Sequence, residues 1–253
     1  MPRLTVIVSS YNRPDGLRRA ARSVLAAHMV VAGDVQLVIC DDASTNDVVR
    51  KDLQKYREWA NCKVIVGPSY KPVQKRDELL TAGKLINQAL AETDSRYVAY
   101  LTDGTFWLGQ HLRLLMERLD GCKEAALAWD LQHLVCLGDE GELVQTRMST
   151  GVPTDKKGWP HQQHKGAQLV KRLATHNFID HSAVVERRNS IDWSEDPKDW
   201  WYWDWVRWRK MAEAGMRFDF VPHVGSVKTT GPWNIGPVMK RGGGIHDAML
   251  ARK

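Results

Sequence analysis

The sequence predicts an α/β fold with a mostly parallel sheet, and two observations carry that prediction. Three apolar runs rich in β-branched residues each stop abruptly at hydroxyl, amide or carboxylate side chains: residues 4–13, 35–45 and 97–107. Segments with apolar residues at helical spacing alternate with these runs, an order typical of parallel sheets. Ligands of open α/β sheets bind outside the carboxyl ends of the strands. We therefore expect a polar, negatively charged pocket where these three strands end.

The elements of the first half follow in chain order. After the first strand, Pro14 and Asp15 suit the first turn of a helix whose apolar residues would pack on the sheet. Residues 41–47 form a turn rich in capping residues, which predicts a polar helix ending near Trp59. The next segments are assigned to a third strand, a helix and a central strand: residues 62–66, 77–91 and 96–102.

The pattern changes from about residue 124. Two runs, residues 125–137 and 142–146, flank Gly138-Asp-Glu-Gly141, which predicts a hairpin. Residues 150–170 carry Gly and Pro without periodicity and are predicted to form a loop. Because no repeat or clear linker divides the sequence, we expect one domain over residues 1–253.

Composition narrows the class of protein. A hydrophobic content of 43% and a charged content of 26% are those of a globular domain rather than a disordered chain. No apolar stretch approaches the roughly 18 residues of a membrane span, and no signal peptide is recognised, so a cytoplasmic location is expected. The four cysteines form no Cys-Xaa-Xaa-Cys pair, which favours reduced thiols over disulfides or zinc. The net charge of +6 favours an anionic ligand or partner, such as a nucleotide, an acidic lipid or a nucleic acid, without selecting one.

Polar residues after the first two strands form the first candidate site. Asp41 and Asp42 can accept from the imide N–H of a base, or can simply cap the next helix. Ser9, Tyr11 and Arg13 follow the first strand and can reach a base, ribose or pyrophosphate.

The second candidate site is a segment rich in tryptophan, residues 199–215. Its tryptophans crowd too closely for one helix face to bury them all, so the exposed ones can stack on sugar rings or on bases. Asp204 opens a helical run in this segment.

These segments together resemble the family 2 glycosyltransferases, which have the GT-A fold. The likeness covers most of the chain. It rests on Asp-Asp-Xaa-Ser after the second strand, on Gly-Lys…Asn-Xaa-Xaa-Leu within residues 83–90, and on the likeness of residues 199–215 to the family's Glu-Asp-Trp-Asp-Leu-Trp-Leu-Arg-Leu-Ala-Glu-Ala-Gly. It implies a Rossmann-like nucleotide-sugar-binding half in residues 1–122. An acceptor-binding half with a small mixed region and a basic, Gly-rich C-terminal segment would fill residues 123–253.

The resemblance also implies roles for particular residues. Asp41 or Asp42 would read the base, and Asp103 would lie at the diphosphate. Lys84 either faces phosphate or is a solvated helical lysine. Alignment of the shared Ala-Glu-Ala-Gly places Asp204 on the general base, with Trp203 replacing the usual neighbouring glutamate. The expected acceptor-side residues are Asp180, His181, Trp201, Trp203 and Trp205.

One departure from the family concerns the metal. The family usually carries Asp-Xaa-Asp at the end of the central strand, where this chain has Asp103-Gly104-Thr105. The resemblance implies Mn²⁺ or Mg²⁺ on the leaving diphosphate, with Asp103, Thr105 and His223 as candidate ligands. Because a threonine hydroxyl is a neutral ligand, three alternatives stay open: weaker metal binding, a different ligand set, or stabilisation by Arg and Lys alone.

The function implied is an inverting glycosyltransferase that moves a sugar from a nucleotide-sugar, expected to be a UDP-sugar, to a hydroxyl acceptor. The expected acceptor is a saccharide of a surface polymer or glycolipid. Nucleic acid as acceptor, as for phage enzymes that glycosylate modified DNA bases, is also compatible with the sequence. The features are positive charge interleaved with tryptophan in residues 200–210 and basic residues at 228–241. A non-catalytic binding protein on the same fold is the alternative from another class.

Overall fold

The computed structural model describes residues 2–28, 35–68, 81–137, 143–148, 163–196, 199 and 203–230. In the first half, strands and helices alternate as β1 (Leu4–Ser10), α1 (Pro14–His28), β2 (Val35–Asp41), α2 (Asp47–Arg57), β3 (Cys62–Val66), α3 (Thr81–Ala91), β4 (Tyr97–Thr102), β5 (Thr105–Trp107) and α4 (His111–Gly121). The second half contains β6 (Ala125–Leu137), β7 (Leu143–Met148), β8 (Gln163–His164), α5 (Gly166–Leu173), a 3₁₀ turn (His181–Ala183), β9 (Val184–Arg187), α6 (Trp203–Glu213) and β10 (Arg217–Thr230).

One sheet contains all of these strands. Its main path runs β3-β2-β1-β4-β9-β6-β10-β5, with β7 paired to β6 and β8 to β10. The first four strands are parallel to one another. β9 is antiparallel to both β4 and β6, so it joins the parallel half to a mixed region. The predicted α/β class, with a parallel sheet and a smaller mixed part, is confirmed.

Helices cover both faces of the sheet, and the alternation along β1 shows how. Leu4, Val6 and Val8 pack in one buried cluster with residues of α1, α2 and α4. Ile7, between them, packs on the opposite face with residues of α3, α5 and α6. Successive side chains of a strand point to opposite faces, so a strand covered on both sides must be apolar throughout. This explains the uninterrupted apolar runs of the sequence.

The predicted elements agree with the structure at most places. The strand predicted at residues 62–66 is confirmed, as is the hairpin of β6 and β7, whose turn at 138–142 lies outside the described residues. The loop predicted for residues 150–170 is wrong at its end, where α5 begins at Gly166 with a positive φ of 64°. Leu169 and Leu173, one helical turn apart, are buried and hold this helix on the core.

Two further expectations concern thiols and membranes. Cys40, Cys62, Cys122 and Cys136 are free thiols, and burial raises the pKa of Cys40 and of Cys62 to about 12. Over the part of the chain that the structure describes, no helix combines the length and the apolar character needed to cross a membrane.

Candidate functional site

A cleft of about 440 Å³ lies where β1, β2 and β4 end. The parallel register brings these ends together, because Ser9 pairs with both Cys40 and Thr102. The cleft is lined by the loop after β1, by the ends of β2 and β4, and by α3: Ser9, Ser10, Tyr11, Asn12, Arg13, Cys40, Asp42, Ala82, Leu85, Thr102 and Asp103. The predicted pocket at the strand ends is therefore present, with carboxylates on two of its sides.

The two aspartates after β2 have different environments. Asp41 is 1% exposed, and its carboxylate accepts from the Ser44 N–H at 2.7 Å and from the Ser44 hydroxyl at 2.6 Å. Burial raises the pKa of Asp41, although the bonds from Ser44 oppose that rise. The chain turns at Ala43, which has a φ of 55°, and the preceding residue, Asp42, lines the cleft. Of the two, Asp41 therefore holds the turn, while Asp42 is the one that lines the cleft.

Asn12 ties the loop after β1 to the loop after β2. Its backbone has a φ of 54°, a left-handed conformation that Asn tolerates better than most residues. Its side-chain Oδ1 accepts from the backbone N–H groups of Thr45 at 2.8 Å and Asn46 at 3.0 Å. Its own N–H donates to the Ser44 hydroxyl at 2.8 Å. Asn12 was not predicted as a site residue, although an asparagine shortly after a strand favours such a turn.

Asp103 lies at the end of β4 in contact with the loop after β1. Its carboxylate accepts from the Tyr11 N–H at 2.9 Å and lies 3.6 Å from the Arg13 guanidinium. Gly16 in the first turns of α1 approaches the same segment so closely that a Cβ there would lie 2.0 Å from the Asp103 carbonyl oxygen. Gly16 is a second residue that the sequence analysis missed.

Strand pairing brings Lys228 to the site. Lys228 of β10 is the antiparallel partner of Thr105 in β5. Thr105 is 2% exposed, and its hydroxyl lies 3.1 Å from that of Thr102. The Lys228 ammonium donates to the Asp180 carboxylate at 2.6 Å. Burial disfavours both charges, but their mutual attraction outweighs it, so the pKa of Lys228 is raised and that of Asp180 is lowered.

Asp204 lies in the first turn of α6, with 8% of its surface exposed. Its Oδ1 accepts from the Asn177 amide at 3.2 Å and from the Trp205 N–H at 2.7 Å. Its Oδ2 is 3.4 Å from Nδ1 of His181, whose ring centroid lies 4.7 Å from that of Trp203. The predicted residues Asp204, His181 and Trp203 thus form one cluster.

Some predicted residues lie away from the cleft and from the Asp204 cluster, and one is not described. Lys84 is exposed on α3, whose Ala82 and Leu85 line the cleft instead. Trp205 is 6% exposed and its indole N–H donates to the Leu173 carbonyl at 2.6 Å, so it belongs to the core and not to a stacking surface. Trp201 lies outside the described residues.

His223 lies within one irregularity in the pairing of β10 with β6, between Phe220 and Val224, and a second irregularity follows between Val224 and Ser226. It lies near Asp130, whose carboxylate is 2.8 Å from the His111 ring in a buried pair. Burial raises the pKa of Asp130, and the His111 and His223 rings oppose that rise. It is Lys228 of β10, not His223, that lies opposite Thr105.

The family model described as Glycosyl transferase family 2 matches residues 5–192. The chain belongs to glycosyl transferase family 2. It is 27% identical to Protein CgeD of Bacillus subtilis (strain 168), over 83% of this chain and 46% of that protein.

Solved structures agree in fold. S. aureus TarS 1–349 has a TM-score of 0.59 at 17% identity, covering 90% of this chain and 60% of that one. The same fragment in complex with UDP-GlcNAc also gives 0.59 at 17% identity, covering 90% of this chain and 58% of that one. The chain thus spans less than half of CgeD and about 60% of the TarS fragment. The predicted family and the GT-A fold are confirmed.

Family 2 glycosyltransferases commonly use a divalent metal, so the predicted ligand set can be tested against the fold. Within the described ranges, no three His, Cys, Asp or Glu side chains gather closely enough to hold a metal ion. Of the predicted ligands, Asp103 supplies a carboxylate at the strand end, and Thr105 is buried with its hydroxyl 3.1 Å from that of Thr102. Asp103 is therefore the one carboxylate of the predicted set, and Asp103, Thr105 and His223 as metal ligands stay a prediction.

Proposed function

We propose that this family 2 domain is an inverting glycosyltransferase that moves a sugar from a UDP-sugar to an acceptor hydroxyl. The observation that carries the proposal is the juxtaposition of a nucleotide-sized cleft with a nearly buried carboxylate. Lys228 lies between the two, since it pairs with Thr105, two residues after Asp103, and its ammonium donates to Asp180 at 2.6 Å. The Asp180 carboxylate lies 3.9 Å from the His181 ring, which lies 3.4 Å from Asp204. The fold is also that of TarS, which has been crystallised with UDP-GlcNAc and with UDP.

On the donor side, Asp42 would accept from the imide N–H of uracil. Ser9 and Tyr11 would contact the base or ribose, and Asp103 with Arg13 would lie at the diphosphate. The Asn12 side chain would keep the two loops at a fixed separation through its bonds to Thr45 and Asn46. These groups form a binding surface whose shape is set before the donor arrives, which lowers the entropy lost on binding.

On the acceptor side, Asp204 would act as general base. The acceptor oxygen forms a bond to the anomeric carbon while its proton passes to Asp204. The bond from that carbon to the β-phosphate oxygen breaks, and its electron pair leaves on UDP. Attack from the face opposite the leaving group inverts the configuration. The Asn177 amide and His181 orient the Asp204 carboxylate for this transfer, which typically contributes about 10² to 10⁴-fold in rate.

The acceptor we propose is a saccharide of a surface polymer or glycolipid. Trp203 is partly exposed next to His181, and an indole face beside a carboxylate suits a sugar ring with its hydroxyl directed at the base. Asp180 and His181 would add hydrogen bonds to the sugar. A cytoplasmic location is proposed with this role.

The test is a panel of UDP-, GDP- and TDP-sugars, each measured for binding, for slow hydrolysis and for transfer to saccharide and oligonucleotide acceptors. Wild type is compared with Asp204→Asn and with the control Asp47→Asn, which removes an 85% exposed carboxylate from the first turn of α2. We expect Asp204→Asn to bind the donor normally and to lose transfer about 100-fold or more, while Asp47→Asn keeps both.

Several results would contradict the proposal or part of it. A chain that binds no nucleotide-sugar would refute the proposed function. Binding without turnover in wild type would identify a non-catalytic binding protein. Transfer only to oligonucleotides would overturn the saccharide acceptor. Each assay is repeated with Mn²⁺, Mg²⁺ and EDTA, which decides whether either cation is a cofactor.

A further inference from the structure

We infer that Lys228 is the cation that stabilises the departing diphosphate, at the position where a second aspartate of the family's motif would bring a divalent metal. The inference rests on the proposed function and names a residue that acts at the same site. It follows from three features: the register of β5 and β10, the charge of the groups around Lys228, and the environment of Thr105.

The register fixes Lys228 beside the Asp103-Gly104-Thr105 segment. Thr229, its neighbour, donates its backbone N–H to the Gly104 carbonyl at 2.8 Å and its hydroxyl to the same oxygen at 3.0 Å. Lys228 itself pairs with Thr105. These contacts hold the base of the lysine side chain against the strand end where Asp103 lies.

Thr105 makes this position suitable for a fixed cation. An aspartate here would add a negative charge and draw in a metal ion, whereas the threonine is neutral. Thr105 is buried, and its hydroxyl lies 3.1 Å from that of Thr102. The strand end therefore has one carboxylate fewer than the family's motif, and it has an ammonium group on the neighbouring strand.

Asp180 keeps Lys228 charged and oriented. Its Oδ2 accepts from the ammonium at 2.6 Å, while its Oδ1 accepts from the Ser182 N–H at 2.9 Å as the cap of the 3₁₀ turn. The attraction raises the pKa of Lys228, so the side chain stays protonated at neutral pH. An ammonium has three N–H donors, and this contact uses one of them. The lysine side chain remains 29% exposed, so it can also reach a phosphate oxygen.

The movement of electrons in the reaction explains why a cation beside the diphosphate stabilises the transition state. When the bond between the anomeric carbon and the β-phosphate oxygen breaks, the electron pair stays on UDP, which gains one negative charge. Lys228 donates hydrogen bonds to that charge and keeps its own proton. Because the charge develops during bond cleavage, the interaction is stronger in the transition state than with the bound donor.

The experiment compares wild type with Lys228→Met, which keeps the apolar stem, Lys228→Arg, which keeps the charge, and Lys210→Met, which removes an exposed lysine of α6. The double variant Lys228→Met, Asp180→Asn removes both charges and controls for an unpaired carboxylate. Folding is checked by circular dichroism. The readouts are the affinity for UDP, the affinity for the UDP-sugar, and kcat for transfer, each in EDTA and in Mn²⁺.

We expect wild type to turn over in EDTA and Lys228→Met to lose about 10² to 10³-fold in kcat, as when one donor to a developing anion is removed. UDP affinity should fall more than UDP-sugar affinity, Lys228→Arg should recover part of kcat, and the double variant should stay inactive while folded. Wild-type kcat in Lys228→Met, or wild-type activity that EDTA abolishes and Mn²⁺ restores, would overturn the inference. Wild type that binds UDP through Lys228 but transfers no sugar would instead refute the proposed function alone.

Discussion

The close approach of α1 to the end of β4 can be tested by Gly16→Ala. The added Cβ would lie 2.0 Å from the Asp103 carbonyl oxygen and 3.0 Å from its carbon. Both are backbone atoms, so the helix and the strand end must separate by roughly 1 Å, and such overpacking typically costs about 1–3 kcal/mol. Alanine regains at most about 1 kcal/mol of helix propensity. We expect a net loss of about 1–2 kcal/mol, which in a domain of this size lowers Tm by about 2–8 °C.

The assay is thermal and urea unfolding followed by circular dichroism, with Gly121→Ala as the matched control. Gly121 ends α4 with nothing within 4 Å of its Cβ position, so alanine should leave Tm unchanged or raise it. UDP affinity should also fall in Gly16→Ala, because the shift disturbs the Tyr11 contact to Asp103. A Gly16→Ala protein that melts at or above the wild-type Tm and binds UDP normally would refute the reasoning.

Three further predictions concern stability. Trp205→Ala should lower the free energy of unfolding, measured in urea, by about 3–5 kcal/mol, because it leaves a cavity in the core. Trp203→Ala, by contrast, should leave Tm close to that of wild type and should weaken acceptor binding. The pKa of Asp180 is lowered from its ordinary 3.8, so its stabilisation is present above that pH and is lost as the pH falls through the folded-state pKa. The difference in unfolding free energy between wild type and Asp180→Asn should therefore be constant from pH 8 to about 5 and shrink below about 4; a difference that grows on acidification would contradict it. Glu186→Gln leaves the buried Arg207 guanidinium without its 2.6 Å charge partner and should cost about 3–5 kcal/mol in urea, and an unchanged midpoint would show that the pair is dispensable.

Much of the fold could be predicted because the sequence is locally consistent. β3 coincides with its predicted range, since an apolar run between turn residues has few alternatives. α5 was missed because residues 150–170 contain scattered Gly and Pro and no apolar periodicity. The two leucines that hold the helix are recognisable as such only from their burial in the folded protein. The strand-end position of Asp103 likewise follows from local pattern.

The finer arrangement of the site depends on contacts between distant segments. The sequence Asp41-Asp42 does not show which of the two carboxylates accepts the hydrogen bonds from Ser44, because either could cap the turn. Lys228 pairs with Thr105 although more than half of the described residues lie between them in the sequence. The register of β10 against β6 is also irregular before Lys228. His223 was a candidate ligand because of the family resemblance, and the irregular register around it could not be read from residue types. A shift of one residue turns every side chain to the other face.

The position of β9 between β4 and β6 has a consequence for how the protein is made. β4 is an interior strand, yet its neighbour β9 begins at Val184, about 80 residues later in the chain. At about 5–20 residues per second, a ribosome needs roughly 4–16 s to synthesise that interval. During this time the nascent parallel sheet carries an unpaired apolar edge, the kind of surface that joins other chains. Chaperone binding to the growing chain should therefore be strongest between the emergence of β4 and that of β9.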